Sequence, residues 1–300
     1  MDNLNKKCGF VSVIGAPNAG KSTLINYIVG AKVSIVSPKV QTTRTRVMGI
    51  VNKEDTQIIF VDTPGIFSPK KRLEKAMVAS AWEGISDADM TLMLIDVAGG
   101  KINQDSYNII NKLKSQKRKV ALVLNKIDKI EKEKLLQIAA KLNETGVFNK
   151  TFMISATKGS GVEALVKDIV EHLPKGHWLF NDDEMSDMPL RLLAAEITRE
   201  KIFLQLRQEL PYASTVETEK WEEQKNGVVK ISQIIYVQRD SQKKIILGKG
   251  GSMIKRIGAN SRRELEEILE QKVYLELFVK VRENWTDDPE RYKVWGLEFD

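Results

Sequence analysis

The chain has 300 residues, 42% of them apolar and 29% charged, with one cysteine and a net charge of +7. That length exceeds one ordinary domain and fits two, and no run approaches the roughly 18 consecutive apolar residues of a membrane span. Cys8 alone can make neither an internal disulfide nor a structural zinc site, which favours a reducing, cytoplasmic setting; Met1 to Lys7 is polar and runs straight into Gly9–Ile14, so no signal peptide is expected.

From the amino terminus, the apolar run Phe10–Ile14 leads into Gly15-Ala16-Pro17-Asn18-Ala19-Gly20-Lys21-Ser22 and an amphipathic stretch, Lys21–Val29. This is G-x-x-x-x-G-K-[ST] in its required strand–loop–helix setting. The glycines let successive N–H groups turn inward at phosphate oxygens, Lys21 puts a charge on the β- and γ-phosphates, and the Ser22 hydroxyl ligates Mg²⁺. Gln57–Val61 predicts the next strand, ending in Asp62-Thr63-Pro64-Gly65. A carboxylate there can hold Mg²⁺ through water, and the Gly65 N–H can bond the γ-phosphate. Losing that phosphate removes the bond, so the segment after Gly65 is a predicted switch.

Helices are then expected at Lys75–Ser86, Asp105–Ser115 and Glu131–Thr145, alternating with strands at Met90–Asp96, Val120–Asn125 and Thr151–Ser155. Asn125-Lys126-Ile127-Asp128 follows one of those strands. The Asp128 carboxylate can accept from guanine N1–H and the 2-amino group together. Adenine would leave it desolvated and unpaired, a discrimination of roughly 10⁴–10⁵-fold. The Lys126 stem can pack along the base plane, the Asn125 amide can tie this loop to the phosphate loop, and Ser155-Ala156 brings the Ala156 N–H toward guanine O6. These βα units predict an α/β domain, a mostly parallel sheet with helices on both faces, closed by Val162–His172.

Pro174-Lys175-Gly176 and the acidic stretch Asn181–Asp187 then break the pattern. The expected division is a GTP-binding domain at 1–180, a linker at 181–188 and a second domain at 189–300. Pro189–Gln208 predicts a helix. Ala213–Glu219 and Val228–Val237 predict strands joined across Lys225-Asn226-Gly227. A short helix over Ser241–Leu247 precedes Gly248-Lys249-Gly250-Gly251, followed by a longer helix to about Gln271 and a strand at Val273–Val281. Charge changes with the rhythm. Residues 1–180 carry 27 basic and 17 acidic groups, and residues 181–300 carry 20 and 23. Within the second set, eight basic residues between Arg239 and Arg263 face a single acid, Asp240, which suggests a polyanion surface; a solvated helix face is the plainer alternative.

The four loops resemble the translation-factor-related GTPases. By that resemblance Gln41-Thr42-Thr43-Arg44 lies at the first switch, with Thr43 preferred over Thr42 as the Mg²⁺ ligand. Ile66 stands where Ras-like enzymes carry a water-orienting glutamine, which implies slow intrinsic turnover. Asn18 resembles the asparagine that helps hold K⁺ in bacterial relatives. Ile245–Gly258 resembles the core of a KH domain, with Gly248–Gly251 as its G-x-x-G loop and Lys249, Lys255 and Arg256 supplying charge to the sugar–phosphate chain. Ile245, Ile246 and Ile257 either line the base groove or, as their spacing favours, belong to the core. The order helix–strand–strand–helix–helix–strand is that of a bacterial-type, α+β KH domain.

A GTPase domain followed by one such domain resembles the Era family of bacterial ribosome-assembly GTPases. The resemblance implies GTP and GDP binding, GTP hydrolysis, contact with the 3′ end of 16S rRNA during 30S subunit maturation, and a monomer partly peripheral at the inner membrane. Three rival readings carry distinct expectations. A P-loop enzyme passing phosphate to a small molecule would favour adenine, against Asp128. An RNA-binding protein with a purely structural nucleotide site would bind RNA equally with GTP or GDP. A related GTPase acting on tRNA is the third, with no cysteine chemistry here to support it.

Overall fold

The computed structural model describes residues 6–39 and 42–299. Most of the polar amino terminus and Gln41 of the expected first switch lie outside the described residues. Contacts group the chain into two compact units: Met1–Ser34, Thr43–Asp187 and Arg291–Asp300 in the first, Ile35–Thr42 and Met188–Glu290 in the second.

The first unit is built on β1 (Lys7–Gly15), α1 (Lys21–Val29), β2 (Val47–Lys53), β3 (Thr56–Asp62), α2 (Arg72–Ser86), β4 (Met90–Asp96), α3 (Gln104–Ser115), β5 (Val120–Asn125), α4 (Lys132–Asn143), β6 (Phe148–Ile154) and α5 (Val162–His172). Its sheet runs β2-β3-β1-β4-β5-β6, parallel except at β2. Strands covered on both faces need apolar residues at every position rather than alternate ones. Accordingly β3 and β5 are buried throughout. Alternation survives only in which core a residue enters: Leu92, Leu94 and Val123 join Leu24 of α1 and Leu165 of α5, while Met93, Ile95 and Leu122 join Ala81, Ile109 and Leu135 of α2, α3 and α4. The parallel order delivers the loops after β1, β3, β5 and β6 to one edge, the carboxyl ends of the strands, where open α/β sheets bind ligands.

Strand β2 was not anticipated. Glycine ordinarily weakens a strand, but a Cβ at Gly49 would lie 2.7 Å from Ile25 Cγ2, so only glycine lets β2 pass over α1. As an edge strand β2 has spare N–H groups, and the acidic stretch expected as a linker meets them. Ile50 N donates to Met185 O at 2.9 Å and Met48 N to Asp187 Oδ1 at 2.9 Å, while Asn52 Nδ2 donates to Asp182 O at 3.1 Å.

The second unit comprises α6 (Leu190–Gln205), β7 (Ser214–Glu223), β8 (Val228–Val237), α7 (Asp240–Leu247), α8 (Ser252–Leu269) and β9 (Lys272–Val281). β8 pairs antiparallel with β7 and parallel with β9. The inward set of β8 and β9, including Ile231, Ile235, Val273 and Val279, packs under the helices with Ile246, Ile257 and Leu265. A short helix, α9 (Pro289–Val294), follows.

The contact grouping departs from the expected linear division at two places. Val36 N donates to Glu200 Oε1 at 2.8 Å, Lys39 Nζ caps the Phe203 and Leu206 carbonyls at the end of α6, and Arg199 donates to Thr42 O, which groups this stretch with the second unit. At the other end, the Arg44 guanidinium lies 5.8 Å from the Trp295 ring centroid and that of Arg72 lies 4.7 Å from Phe299, which groups the tail with the first. Neither grouping has a local sequence signal, since both depend on contacts distant along the chain.

Candidate functional site

The phosphate loop turns between β1 and α1. Gly15 and Gly20 adopt φ of 154° and 97°. A Cβ at Gly15 would meet Leu94 O at 2.4 Å, and one at Gly20 would meet Asn125 Nδ2 at 2.2 Å, so both positions require glycine. Gly15-Ala16-Pro17-Asn18-Ala19-Gly20 therefore wraps over Lys21, which is 6% exposed. The Lys21 ammonium donates to Gly15 O and Ala16 O, both at 3.2 Å. Burial lowers its pKa to about 8, against the opposing pull of Asp62.

Asp62 is fully buried at the end of β3. Its Oδ2 accepts from Ser22 Oγ at 2.7 Å, Ser34 Oγ at 2.7 Å and Thr43 Oγ1 at 3.3 Å, and Ser22 and Thr43 lie 3.1 Å apart. Burial raises the Asp62 pKa although Lys21 and these three hydroxyls lower it, and Oδ1 is buried without a hydrogen-bond partner. An orphaned carboxylate oxygen beside two further oxygen donors is a hard-ligand set that fits Mg²⁺. Thr42, the alternative ligand, directs its hydroxyl to Lys39 O at 2.8 Å. Thr63 Oγ1 donates to Val13 O at 2.8 Å, and Ile66 N to Gly15 O at 3.1 Å. Gly65, after Pro64, backs onto the phosphate loop: a Cβ there would sit 2.9 Å from Pro17 Cα. The Ile66 side chain turns away into the core beside Ile14 and Ala81.

The base side is assembled by Asn125, 1% exposed. Its Nδ2 donates to Ala19 O at 2.8 Å, and its Oδ1 accepts from Lys126 N at 2.8 Å and Ala156 N at 3.0 Å, joining three loops. The Ala156 N–H, expected to meet guanine O6, is thus engaged by Asn125. Ser155 Oγ donates to Asp128 Oδ1 at 2.7 Å, and this bond holds the Asp128 pKa below the usual carboxylate range. A carboxylate kept ionised and oriented is what reading two guanine donors requires.

In the second unit, Gly248-Lys249-Gly250-Gly251 links α7 to α8. Gly248 has φ 72° and no room for a side chain, with Met253 N at 2.8 Å from its Cβ position; nothing lies within 4 Å of those of Gly250 and Gly251. Lys249, Lys255 and Arg256 are exposed on this loop and the start of α8. Beside them runs a groove floored by Ile254, Gly258, Leu275 and Leu277 and edged by Lys255 and Arg262. Ile246 and Ile257 are fully buried in the core, and Ile245 is exposed, so the groove takes Ile254 and Leu277 in their place.

The family described as "50S ribosome-binding GTPase" matches residues 10–126, and the KH-domain family matches 209–286. The GTPase Era of Agrobacterium fabrum is 60% identical over 296 residues, spanning 99% of this chain and 93% of that protein, and the GTPase Era of Sinorhizobium medicae is 59% identical over 98% and 94%. The chain belongs to the Era family of GTPases. Solved Era structures share its fold. An Aquifex aeolicus Era variant bound to GDP·AlF₄⁻ superposes with a TM-score of 0.90 at 42% identity, covering 97% of this chain and 99% of its own. Era in complex with MgGDPNP and nucleotides 1506–1542 of 16S ribosomal RNA does so with a TM-score of 0.90 at 41% identity and the same coverage.

Sequence reasoning missed two participants in this Era-family site. Asn26 Oδ1 accepts from Val33 N and Ser34 N, both at 3.0 Å, and its Nδ2 donates to Ser34 O at 2.7 Å, a clip that aims the Ser34 hydroxyl at Asp62. No motif contains either residue, and the clip between them forms only when the chain folds back after α1.

Proposed function

We propose that this chain is a GTP-hydrolysing switch that binds the 3′-end region of 16S rRNA through its KH unit and acts in rRNA processing and 30S subunit assembly. The observation that carries the nucleotide half is the joint held by Asn125, which ties the phosphate loop to an ionised Asp128 and so couples triphosphate binding to guanine recognition. The RNA half rests on the exposed G-x-x-G loop with Lys249, Lys255 and Arg256 beside an apolar groove, together with the rRNA seen bound to a relative of the same fold.

The backbone N–H groups of Gly15 to Lys21 bind phosphate oxygens, and Lys21 gives up its contacts with the loop carbonyls for the β- and γ-phosphates. Ser22 and Thr43 would hold Mg²⁺ directly and Asp62 through water, and the ion would neutralise charge developing on the phosphates. Gly65 bonds the γ-phosphate and releases it after hydrolysis. With Ile66 buried, no side chain at that position polarises the attacking water, so intrinsic turnover is slow. We assign K⁺ to Asn18 as the missing positive charge; equal turnover in Na⁺ and K⁺ buffers removes that assignment. Peripheral contact with the inner membrane would be by surface, since among the described residues no helix is long and apolar enough to cross one, and the working form is a monomer.

Binding and turnover by the full chain test the nucleotide half. GTP and GDP bind, ATP competes for neither, and phosphate is released slowly. Asp128→Asn shifts preference from guanine to xanthine nucleotides. Unchanged GTP affinity in that variant would contradict the base assignment.

A further inference from the structure

One carboxylate at the nucleotide edge belongs to none of the four motif loops. Asp96 ends β4, where it is 27% exposed, and its Oδ2 lies 2.5 Å from the Lys126 ammonium. Its other oxygen accepts from Ala98 N at 2.9 Å, which fixes the carboxylate at the first residue of the turn after β4. That turn is joined to the base loop a second time, because Val97 N donates to Asn125 O at 3.1 Å. Lys126 itself adopts a left-handed φ of 69°, and its ammonium also donates to Asn18 O of the phosphate loop at 2.9 Å.

A lysine stem has four rotatable bonds and loses them unwillingly. Here both ends of the stem are held: the backbone by the Asn125 side chain, which accepts from Lys126 N, and the ammonium by Asp96 and Asn18. A stem pinned at both ends is a flat apolar strip, the shape needed to lie along a purine face. The Asn18 carbonyl alone gives the ammonium one neutral acceptor; Asp96 adds the charge.

We propose that Asp96 is a positioning residue for the guanine nucleotide. It touches no part of the nucleotide and acts through Lys126, setting the stem in place before the base arrives and locking the base loop to the phosphate loop. The proposal rests on the guanine-nucleotide reading of this site. It separates two jobs within the base pocket: Asp128 selects guanine by its edge donors, and the Asp96–Lys126 pair sets how long any purine stays.

The test is the dissociation rate of a fluorescent GDP analogue from the full chain, for Asp96→Asn, Lys126→Met and the double variant. Losing one partly exposed, charge-assisted bond predicts that Asp96→Asn speeds release about tenfold. The double variant releases no faster than Lys126→Met, because the carboxylate has nothing left to hold. Two further readouts of Asp96→Asn alone exclude general damage: kcat at saturating GTP stays within about twofold, and the ratio of GDP to IDP affinity is unchanged, because Asp128 still meets the 2-amino group. Should Asp96→Asn fail to fold, Asp96→Glu, which displaces the same charge by one methylene, is read in its place and also speeds release. Release within about twofold of the parent, an additive double variant, or a collapsed GDP-to-IDP ratio overturns the proposal. Failure of the parent chain to bind the GDP analogue would instead overturn the guanine reading itself.

Discussion

Replacing Asn125 with alanine removes a side chain that touches three loops at once. The change deletes the donor to Ala19 O at 2.8 Å and the acceptor for Lys126 N at 2.8 Å and Ala156 N at 3.0 Å. A buried polar group left unpaired costs about 1–3 kcal/mol. The Ala156 N–H is deeply buried and bears that cost in full, whereas the groups bordering the nucleotide cleft regain part of theirs from water. A total of about 3 kcal/mol is therefore expected in the absence of nucleotide. Denaturant unfolding of the full chain measures it on the transition that GDP shifts upward, since ligand binding marks the unit that holds the site. GDP affinity should fall as well, by about tenfold or more, because phosphate loop and base loop no longer present a single preformed cleft. Asn111→Ala, on an exposed position of α3, serves as the control and should stay within about 0.5 kcal/mol. A loss below about 1 kcal/mol for Asn125→Ala, or a loss of stability with GDP affinity intact, would refute the claim that this residue holds the site together.

Ser155→Ala frees the Asp128 carboxylate that the hydroxyl now holds at 2.7 Å; about fivefold weaker GDP binding is expected by titration, with guanine still preferred over adenine. The Lys21 pKa, lowered to about 8 by burial, gives a signed pH dependence. Bound phosphate raises that pKa, so above about pH 8 binding takes up a proton and affinity falls as pH increases, which calorimetry in two buffers of different ionisation enthalpy detects. Without nucleotide the same shift makes the fold bind fewer protons than the unfolded chain between about pH 8 and the ordinary lysine range, so Lys21 contributes increasing stability across that window. Lys249→Glu should weaken RNA binding and flatten its salt dependence while leaving GDP affinity unchanged; an unaltered salt slope would count against phosphate contact at this loop.

The loops that carry chemistry were legible because each packs its requirement into a few adjacent residues. Gly15 and Gly20 are glycines for steric reasons, Asp62 ends a strand and Asp128 follows one by three residues, and the apolar runs of those strands announce both. What required the fold is what depends on distant partners. Ser34 reaches Asp62 only because Asn26 clips the chain after α1, and β2 is a strand only because β3 lies beside it and Gly49 clears Ile25. Helical spacing correctly inclined Ile246 and Ile257 toward the core, yet the same argument gave no reason for Ile245 to stand exposed. The acidity of Asn181–Asp187 suggests a linker but not its partner, the N–H groups of β2, to which its acidic and carbonyl oxygens bond. The resemblance prefers Thr43 over Thr42, and in the fold the two differ in direction, one hydroxyl toward Lys39 O and the other toward Asp62.

The central claim is that one chain couples a guanine-nucleotide switch to an RNA-binding surface. Its most direct test is the affinity of the full chain for an oligonucleotide of the small-subunit rRNA 3′ end, at one fixed salt concentration, with a non-hydrolysable GTP analogue, with GDP and with no nucleotide. The account predicts tightest binding with the GTP analogue. Equal binding in all three states would leave an RNA-binding protein with a structural nucleotide site and contradict the coupling.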